Sequence, residues 1–342
     1  MKYHITVFGC QMNISDAERI SGAFEALKYK KTDNINDADL VIMVMCSVRQ
    51  SAVDRIFGMA EKFKKLKKKP KTILTGCILK RDKIKFGKVF DRVMNLEDLL
   101  KAKKYLEIEP KYSSEKTAYV PIMTGCNNFC SYCVVPYTRG REVSRQPRKV
   151  IAEIKNLAKN GYKEIWLLGQ NVNSYKDGKT NFPKLLKMAN DVSGDFKLNF
   201  TSSHPKDFSD ELIETMAKCN KLSMDLNLPI QSGDDEVLKR MNRPYTVAQY
   251  KNLVKRIKKV LPKIRLSTDI IVGFPGETKK QFNNTVKTLK EIGYGVAFIN
   301  KYSPRAGTVA SKMKDDVPWA EKKRREKILI ELINEKNNHR KK

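Results

Sequence analysis

The chain lacks any apolar run long enough to cross a membrane. No hydrophobic stretch approaches the roughly 20 residues that a transmembrane helix needs. The N-terminal segment MKYHITVFGC begins with a strand-like pattern and has no apolar core typical of a signal peptide. These absences predict a cytoplasmic protein without a membrane partner.

Acidic residues are scarce relative to basic ones. The 342 residues include 68 Lys and Arg but 38 Asp and Glu, which gives a formal net charge of +30. A surplus of this size favours a polyanionic partner such as nucleic acid, although a lysine-rich composition alone would produce the same excess. The basic run at 62–71 is better explained as the solvated end of a helix.

Histidine is also rare, whereas cysteine is plentiful. The three histidines show no ligand spacing, but seven cysteines in a chain predicted to be cytoplasmic favour metal or redox chemistry over disulfides. Cys219 has no partner motif, and we interpret it as a packed thiol. The other six form a scattered group at Cys10, Cys46 and Cys77 and a tight cluster at Cys126, Cys130 and Cys133.

Each scattered cysteine ends a short apolar run. The runs at 5–10, 39–46 and 72–77 are predicted strands, and the amphipathic stretches 15–30 and 49–67 between them are predicted helices. Parallel strands with right-handed crossovers share one carboxyl edge, where ligands bind. The three thiols should therefore form one three-thiolate site. The alternative is that each is an ordinary buried cysteine.

A helix predicted at 96–105 and a polar, turn-rich segment after it divide the chain. We predict an N-terminal parallel-sheet α/β domain over residues 1–110 and a second α/β domain over 111–342. Six strand candidates alternate with helical stretches in the second part, and a charged helix is expected at 318–336. This pattern predicts a partial (β/α)6 TIM-like barrel, with too few units for a closed eight-stranded one.

The clustered cysteines follow the first predicted barrel strand, in the segment CNNFCSYC (126–133). A zinc ribbon would require a second CxxC, and a ferredoxin-type run would require a fourth cysteine followed by proline. Three thiolates on a four-iron cluster leave one iron free to bind another molecule. The segment therefore favours a catalytic iron–sulfur cluster.

The spacing CxxxCxxC, with Tyr132 before the last cysteine, resembles the signature of radical S-adenosylmethionine enzymes. Nearly the whole chain resembles one branch of them, the MiaB-type methylthiotransferases. The segments GCQMN (9–13) and GQNVN (169–173) favour this branch. The other matching segments are CSVRQSA (46–52), CVVPYTRGREVSRQP (133–147), FTSSHP (200–205), LPIQSGDDEVLKRMNR (228–243) and DIIVGFPGET (269–278).

The resemblance implies two [4Fe-4S] clusters. Cys126, Cys130 and Cys133 would hold the cluster that binds S-adenosylmethionine and cleaves it to a 5′-deoxyadenosyl radical. The scattered cysteines would hold an auxiliary cluster that carries the sulfur to be inserted, and a second S-adenosylmethionine would supply the methyl group. The family ordinarily continues into a small RNA-gripping TRAM domain, which the sequence does not show after HRKK (339–342).

The same resemblance implies a substrate and partners. The expected reaction is sulfur insertion at C2 of N6-isopentenyladenosine next to the tRNA anticodon, with flavodoxin or ferredoxin as electron donor and a monomeric enzyme. Alternatives are a methylthiotransferase acting on a ribosomal-protein aspartate or on threonylcarbamoyl-adenosine in tRNA. From another class, a non-catalytic iron–sulfur module that binds RNA also remains.

Further site residues follow from strand ends and from the resemblance. By resemblance, the second barrel strand ends where the superfamily contacts the methionyl amino group, and the fifth lies where it binds ribose and adenine. Gln231, at the barrel mouth, could hydrogen-bond an adenine edge. Arginines after the cluster could neutralise a substrate carboxylate or RNA phosphate. The residues are Gly169, Gln170 and Asn171 on the second strand, Asp269 and Gly273 on the fifth, and Arg139, Arg141 and Arg145.

Overall fold

The computed structural model describes residues 1–48, 50–66, 68–102 and 104–339. Its first part is a parallel sheet with strand order β2-β1-β3-β4-β5. The strands are β1 Lys2–Phe8, β2 Lys30–Lys31, β3 Leu40–Cys46, β4 Lys71–Cys77 and β5 Arg92–Val93. The helices are α1 Gln11–Ala26, α2 Gln50–Lys64, α3 Lys80–Phe86 and α4 Leu96–Leu100. The boundary between residues 110 and 111 stays a prediction.

The central strand of this sheet is apolar along its whole length, and every residue of β3 is buried. In the register between β3 and β4, Cys46 lies opposite Cys77, so two of the scattered cysteines meet as predicted. Cys10 differs from the prediction because β1 already ends at Phe8. It instead occupies the N-cap position of α1, which starts four residues earlier than predicted.

The helix predicted at 96–105 is also shorter than expected. It ends at Leu100 because Lys101 adopts a left-handed conformation with φ of 50°, and residues 105–107 form a separate 3₁₀ turn. Neither α3 nor the short edge strands β2 and β5 was predicted. Their sequences are brief and lack a clear apolar period.

The second part contains the alternating strands and helices that the pattern predicted. The strands are β6 Thr117–Pro121, β7 Met123–Thr124, β8 Val143–Ser144, β9 Glu164–Leu168, β10 Lys176–Asp177, β11 Thr180–Asn181, β12 Lys197–Phe200, β13 Asp225–Asn227, β14 Arg265–Val272 and β15 Val296–Lys301. The helices are α5 Val135–Thr138, α6 Pro147–Lys159, α7 Phe182–Asn190, α8 Asp210–Lys218, α9 Asp235–Arg240, α10 Val247–Val260, α11 Lys279–Ile292 and α12 Trp319–His339.

The main strands of this part run parallel in two groups, β12-β9-β6 and β13-β14-β15. A parallel bridge between Leu198 and Leu222 joins the groups, and the Ser223 amide donates to the Leu198 carbonyl at 2.9 Å. The main strands therefore follow one another in chain order as an open barrel. This confirms the predicted α/β fold class, a partial (β/α)6 barrel behind a parallel-sheet α/β unit.

Amphipathic helices cover the outside of the barrel. In α6, for example, Val150, Ile154 and Leu157 are buried at the spacing of one helical face. Pro147 stands at the first helical position, where its missing N–H costs nothing. None of the described helices is long and apolar enough to span a bilayer.

The two parts contact each other through α1. The Ser15 hydroxyl donates to the Tyr119 carbonyl of β6 at 3.2 Å. Arg19 of α1 pairs with Glu153 of α6 at 2.8 Å, and the Arg19 side chain is 1% exposed. Because Cys10 caps the start of α1, this contact fixes the N-terminal sheet edge relative to the barrel.

Candidate functional site

We call Cys126, Cys130 and Cys133 the barrel triad. They lie on the loop after β7, and the chain holds this loop from several sides. The Ser131 amide donates to the Met241 carbonyl at 2.9 Å, and its hydroxyl donates to the Arg240 carbonyl at 2.8 Å. Gly125, at φ of 77°, starts the loop; a Cβ there would lie 2.0 Å from the Arg141 carbonyl oxygen. Only glycine fits this turn without displacing backbone.

The barrel triad is enclosed and receives a buried cation. Arg243 Nη1 donates to Cys130 Sγ at 3.5 Å, and Arg243 is anchored on the Pro229 carbonyl at 2.7 Å. Burial, together with the neighbouring Cys130, raises the pKa of Cys133 to about 12. Burial also raises the pKa of Cys126. These thiols must lose their protons when they bind metal, so binding would release protons.

We call Cys10, Cys46 and Cys77 the sheet triad. Interaction with the Cys46 thiol, supported by the charge of Arg139, lowers the pKa of Cys77 despite its burial. Asn13 connects the third member. Its Oδ1 accepts from Cys10 Sγ at 3.5 Å, and its Nδ2 donates to Cys77 Sγ at 3.9 Å. The structure thus brings the three scattered cysteines together, as predicted.

Arg139 links the two triads. It follows the barrel-triad loop in sequence, yet its Nε donates to Cys77 Sγ at 2.9 Å. Its Nη2 donates to Asp16 Oδ2 at 2.5 Å, and Nη1 donates to the Tyr105 hydroxyl at 3.1 Å. The Arg139 side chain is 5% exposed and that of Asp16 is fully buried. The segment after the barrel-triad loop therefore supplies a hydrogen-bond donor to the sheet triad.

The donor sets of both triads suit iron–sulfur clusters. No three His, Cys, Asp or Glu side chains in the described part of the chain converge tightly enough to hold a single metal ion. A four-iron cluster does not require such convergence, because each thiolate binds a different iron. Within each triad the thiols are close enough to influence one another's protonation. Three thiolates with an open fourth corner fit a four-iron cluster in both places.

A cavity of about 480 Å³ opens beside the barrel triad. It is lined by Tyr132 and Cys133 of the loop, by Gln231 after β13 and Asp269 within β14, and by Val48 after β3. Gln231 has a φ of 72°, a region that non-glycine residues rarely adopt and that is often found at functional sites. Two predicted contacts for the adenosine half of a cofactor thus lie in one cavity.

Buried polar atoms without partners mark the neighbouring strand ends. Gln170 Oε1 and Asn171 Oδ1 after β9, and Ser203 Oγ and His204 Nε2 after β12, have no hydrogen-bond partner within the described residues. Such atoms cost free energy unless a ligand satisfies them. Amide oxygens suit an ammonium, so Gln170 and Asn171 fit the methionyl amino group of S-adenosylmethionine.

The two predicted glycine contacts have packing reasons for their identity. A Cβ at Gly169 would lie 2.7 Å from Met123 Cγ. A Cβ at Gly273 would lie 2.4 Å from Lys322 Cγ of α12, and φ at Gly273 is 67°. The Gly273 amide donates to Glu277 at 2.6 Å, and Glu277 pairs with Arg325. Both glycines therefore allow close packing against these side chains.

The structure separates the three arginines that the sequence placed in one substrate-binding segment. Arg145 is buried; it donates to the Pro121 carbonyl at 2.6 Å and to Glu153 at 2.7 Å. Arg139 is buried at the sheet triad. Both guanidinium groups are therefore held by partners within the protein, whereas the sequence led us to expect them at a substrate. Arg141 is exposed and lies 4.3 Å over the Phe129 ring, so it alone stays available for a phosphate.

Several residues at the site were missed by the sequence reasoning. His204 was assigned no role, yet its Nδ1 accepts from the Lys206 amide at 3.2 Å. The proton therefore sits on Nε2, which has no partner within the described residues; burial lowers the pKa of His204 to about 2 and keeps the ring neutral. Asn13 and Arg243 were missed too. Each lies within a segment that carried the resemblance, which was the one available signal.

The chain is similar to known proteins along nearly its whole length. Residues 120–289 match the Radical SAM superfamily, and residues 2–96 match the Uncharacterized protein family UPF0004. The chain is 43% identical to the tRNA-2-methylthio-N(6)-dimethylallyladenosine synthase of Clostridium novyi (strain NT), over 98% of this chain and 81% of that protein. It is 41% identical to the protein of the same name from Thermoanaerobacter sp. (strain X514), over 97% and 78%.

Solved structures support the fold. The radical S-adenosylmethionine methyltransferase TsrM from Kitasatospora setae, with cobalamin and a [4Fe-4S] cluster bound, superposes with a TM-score of 0.64 at 13% identity. The superposition covers 91% of this chain and 74% of that one. At this level of identity the likeness concerns the fold alone.

Proposed function

The chain belongs to the family of MiaB-type radical S-adenosylmethionine methylthiotransferases, and on that premise we propose that it inserts sulfur at C2 of N6-isopentenyladenosine next to the tRNA anticodon and methylates that sulfur. Relatives more than 40% identical over nearly the whole chain carry the corresponding 2-methylthio product in their names. A net charge of +30 suits a polyanionic substrate.

The observation that carries this proposal is the pair of thiol triads in one chain, joined by the Arg139–Cys77 hydrogen bond at 2.9 Å. A module that only binds RNA would not need a three-thiolate site with a free fourth corner in either place. We assign the S-adenosylmethionine cluster to the barrel triad, within residues 111–342, and the auxiliary cluster to the sheet triad, within residues 1–110.

The chain's own residues have defined tasks in this proposal. When bound, S-adenosylmethionine and the two clusters supply the radical, the sulfur and the methyl group. Gln170 and Asn171 would accept hydrogen bonds from the methionyl ammonium, and Gln231 and Asp269, which line the 480 Å³ cavity, would contact the adenosine. Val48 also lines that cavity, so the segment after β3 contributes to its wall.

The remaining assignments concern partners. Arg141 is exposed beside the barrel loop, and we assign it to an RNA phosphate, which guanidinium groups bind in a bidentate manner. A low-potential protein such as flavodoxin or ferredoxin would supply electrons to a monomeric enzyme.

The test is the nucleoside profile of tRNA from a host that lacks its own methylthiotransferase. Expression of this chain should produce the 2-methylthio derivative of isopentenyladenosine, measured by mass spectrometry. Cys77→Ala should abolish it, and Cys219→Ala, which changes a cysteine outside both triads, should not.

A second assay separates the rival functions. Purified, reconstituted protein with dithionite and S-adenosylmethionine should form 5′-deoxyadenosine. Formation of 5′-deoxyadenosine without any change in the tRNA nucleosides would indicate a different substrate, such as a ribosomal-protein aspartate. No 5′-deoxyadenosine at all would indicate a non-catalytic iron–sulfur module.

A further inference from the structure

Each cysteine triad receives a hydrogen bond from one buried arginine. Arg139 Nε lies 2.9 Å from Cys77 Sγ in the sheet triad. Arg243 Nη1 lies 3.5 Å from Cys130 Sγ in the barrel triad, and Arg243 is 6% exposed. The shorter bond crosses from the barrel to the N-terminal sheet, since Arg139 lies just beyond the barrel-triad loop.

We propose that Arg139 is a positioning residue that fixes the Cys77 sulfur and raises the reduction potential of the cluster bound at the sheet triad. This inference rests on the proposed function, because it assumes that the sheet triad holds a cluster. Hydrogen bonds to cysteine sulfurs are among the factors that set cluster potentials. A donor stabilises the reduced cluster more than the oxidised one, because reduction adds negative charge to the sulfurs.

The surroundings of Arg139 leave it little freedom. Its guanidinium nitrogens contact Asp16 at 2.5 Å, the Tyr105 hydroxyl at 3.1 Å and Cys77. With both Nη atoms held, the planar fork directs the Nε–H at the sulfur. Asp16 is fully buried and offsets much of the positive charge. The directed hydrogen bond therefore contributes more at the cluster than the net charge does.

A lysine could not reproduce this geometry. Its ammonium is a single point charge on a flexible stem, so it cannot span Asp16 and Cys77 in fixed directions at once. We therefore expect both Arg139→Gln and Arg139→Lys to lower the potential. Substitution of a residue that hydrogen-bonds to a metal ligand typically lowers metal affinity or activity by about 10–100-fold.

The experiment isolates one cluster at a time. In a Cys126→Ala/Cys130→Ala/Cys133→Ala background, anaerobic reconstitution should leave about four irons at the sheet triad. A redox titration with dithionite, followed by electron paramagnetic resonance, gives the midpoint potential. Arg139→Gln should lower the reduced-to-oxidised ratio at a fixed potential about tenfold, which equals 59 mV for a one-electron couple.

The converse background, Cys10→Ala/Cys46→Ala/Cys77→Ala, supplies the first control. There Arg139→Gln should leave the barrel-triad potential unchanged, whereas Arg243→Gln should lower it. Arg148→Gln removes the same charge from an exposed position of α6 and should change neither potential.

The outcomes distinguish this inference from the proposed function. If the first background binds no iron, the proposed auxiliary cluster is wrong. If it binds about four irons and neither Arg139→Gln nor Arg139→Lys lowers the potential, the role of Arg139 is wrong while the auxiliary cluster stands. Equal shifts in both backgrounds would likewise overturn it, because they would reflect general charge or folding effects. If Arg139→Gln binds no iron, the same titration is made with Arg139→Lys. A lowered potential then supports the role of Arg139, and an unchanged potential refutes it.

Discussion

Glu153 is the position at which a single substitution should most weaken the joint between the two parts of the chain. It receives Arg19 of α1 at 2.8 Å and Arg145 at 2.7 Å. The Tyr112 hydroxyl donates to it at 2.7 Å. Glu153→Gln keeps the size of the side chain but removes the carboxylate that pairs with both buried guanidinium groups.

The loss in free energy of unfolding can be estimated from the burial of these side chains. The side chains of Arg19, Arg145 and Glu153 are 1%, 6% and 12% exposed. Removing one partner of a buried ion pair costs about 3–5 kcal/mol. Because glutamine keeps a carbonyl that still accepts one hydrogen bond, we expect about 3 kcal/mol. At roughly 2 °C per kcal/mol for a large domain, the midpoint of thermal unfolding should fall by about 6 °C.

The assay is thermal unfolding of the metal-free, reduced protein, followed by circular dichroism. Glu115→Gln is the matched control, because it makes the same substitution at an exposed residue. It should shift the midpoint by less than 1 °C, since a surface substitution changes stability by at most about 0.5 kcal/mol. Equal midpoints for wild type and Glu153→Gln at neutral pH would show that these ion pairs do not stabilise the fold.

The pH dependence gives a second check on the same residue. Burial opposes ionisation of Glu153, but the charges of Arg19 and Arg145 outweigh it and lower its pKa. A lowered folded-state pKa means that the stabilisation is present above the unfolded pKa of about 4.3 and is lost as the pH falls through the folded value. The difference in unfolding midpoint between wild type and Glu153→Gln should therefore be largest at pH 7 and should shrink below about pH 4. A difference that stays constant below about pH 4 would show that glutamine perturbs packing rather than charge.

Three further predictions concern the site. Reconstituted wild type and Cys219→Ala should each bind about eight irons per chain, and a variant with either triad replaced by alanine about four, measured by iron and sulfide analysis. Gly125→Ala should lower the iron content by about half the total, because its Cβ would clash with the Arg141 carbonyl. The control is Gly140→Ala, which has a similar φ of 75° but open space around the Cβ, and which should retain more iron. Equal loss of iron in both variants would show that backbone strain, and not the clash, causes the loss. Gln170→Ala should weaken binding of S-adenosylmethionine to the reconstituted protein about tenfold, the cost of one lost hydrogen bond to a charged group, measured by equilibrium dialysis, and unchanged affinity would remove Gln170 from the cofactor site.

Much of the fold could be predicted because its signals are local. The fully apolar β3 and the repeated change from strand to helix period are enough to predict the sheet and the barrel. Parallel topology then places Cys46 opposite Cys77, since strand ends share an edge. Cys10 was placed less well because Phe8 ends the strand, and the thiol joins its partners from the start of a helix.

The contacts of the three arginines could not be predicted from the sequence, because they depend on residues that lie far away along the chain. Arg139, Arg141 and Arg145 lie within seven consecutive residues, and nothing local distinguishes them. Asp16 lies 123 positions from Arg139 in sequence. Only the packing of α1 against the barrel decides that one guanidinium meets a thiol, one meets Glu153 and one stays exposed.

Helix α1 carries these connections in one row. Cys10, Asn13, Asp16 and Arg19 follow at intervals of three, which on a helix forms a ridge that winds slowly around the axis. Asn13, Asp16 and Arg19 are at most 1% exposed, so the ridge is polar and buried, unlike an ordinary apolar helix face. This ridge carries a thiol of the sheet triad, the amide that contacts Cys77, the carboxylate that pairs with Arg139, and the arginine that pairs with Glu153 of the barrel. Such buried polar groups are costly unless they are satisfied, and Asp16 and Arg19 meet their charged partners only when the two parts are docked. The buried ridge is therefore stable only when the two parts are docked. Docking in turn fixes the position of the two proposed clusters relative to each other.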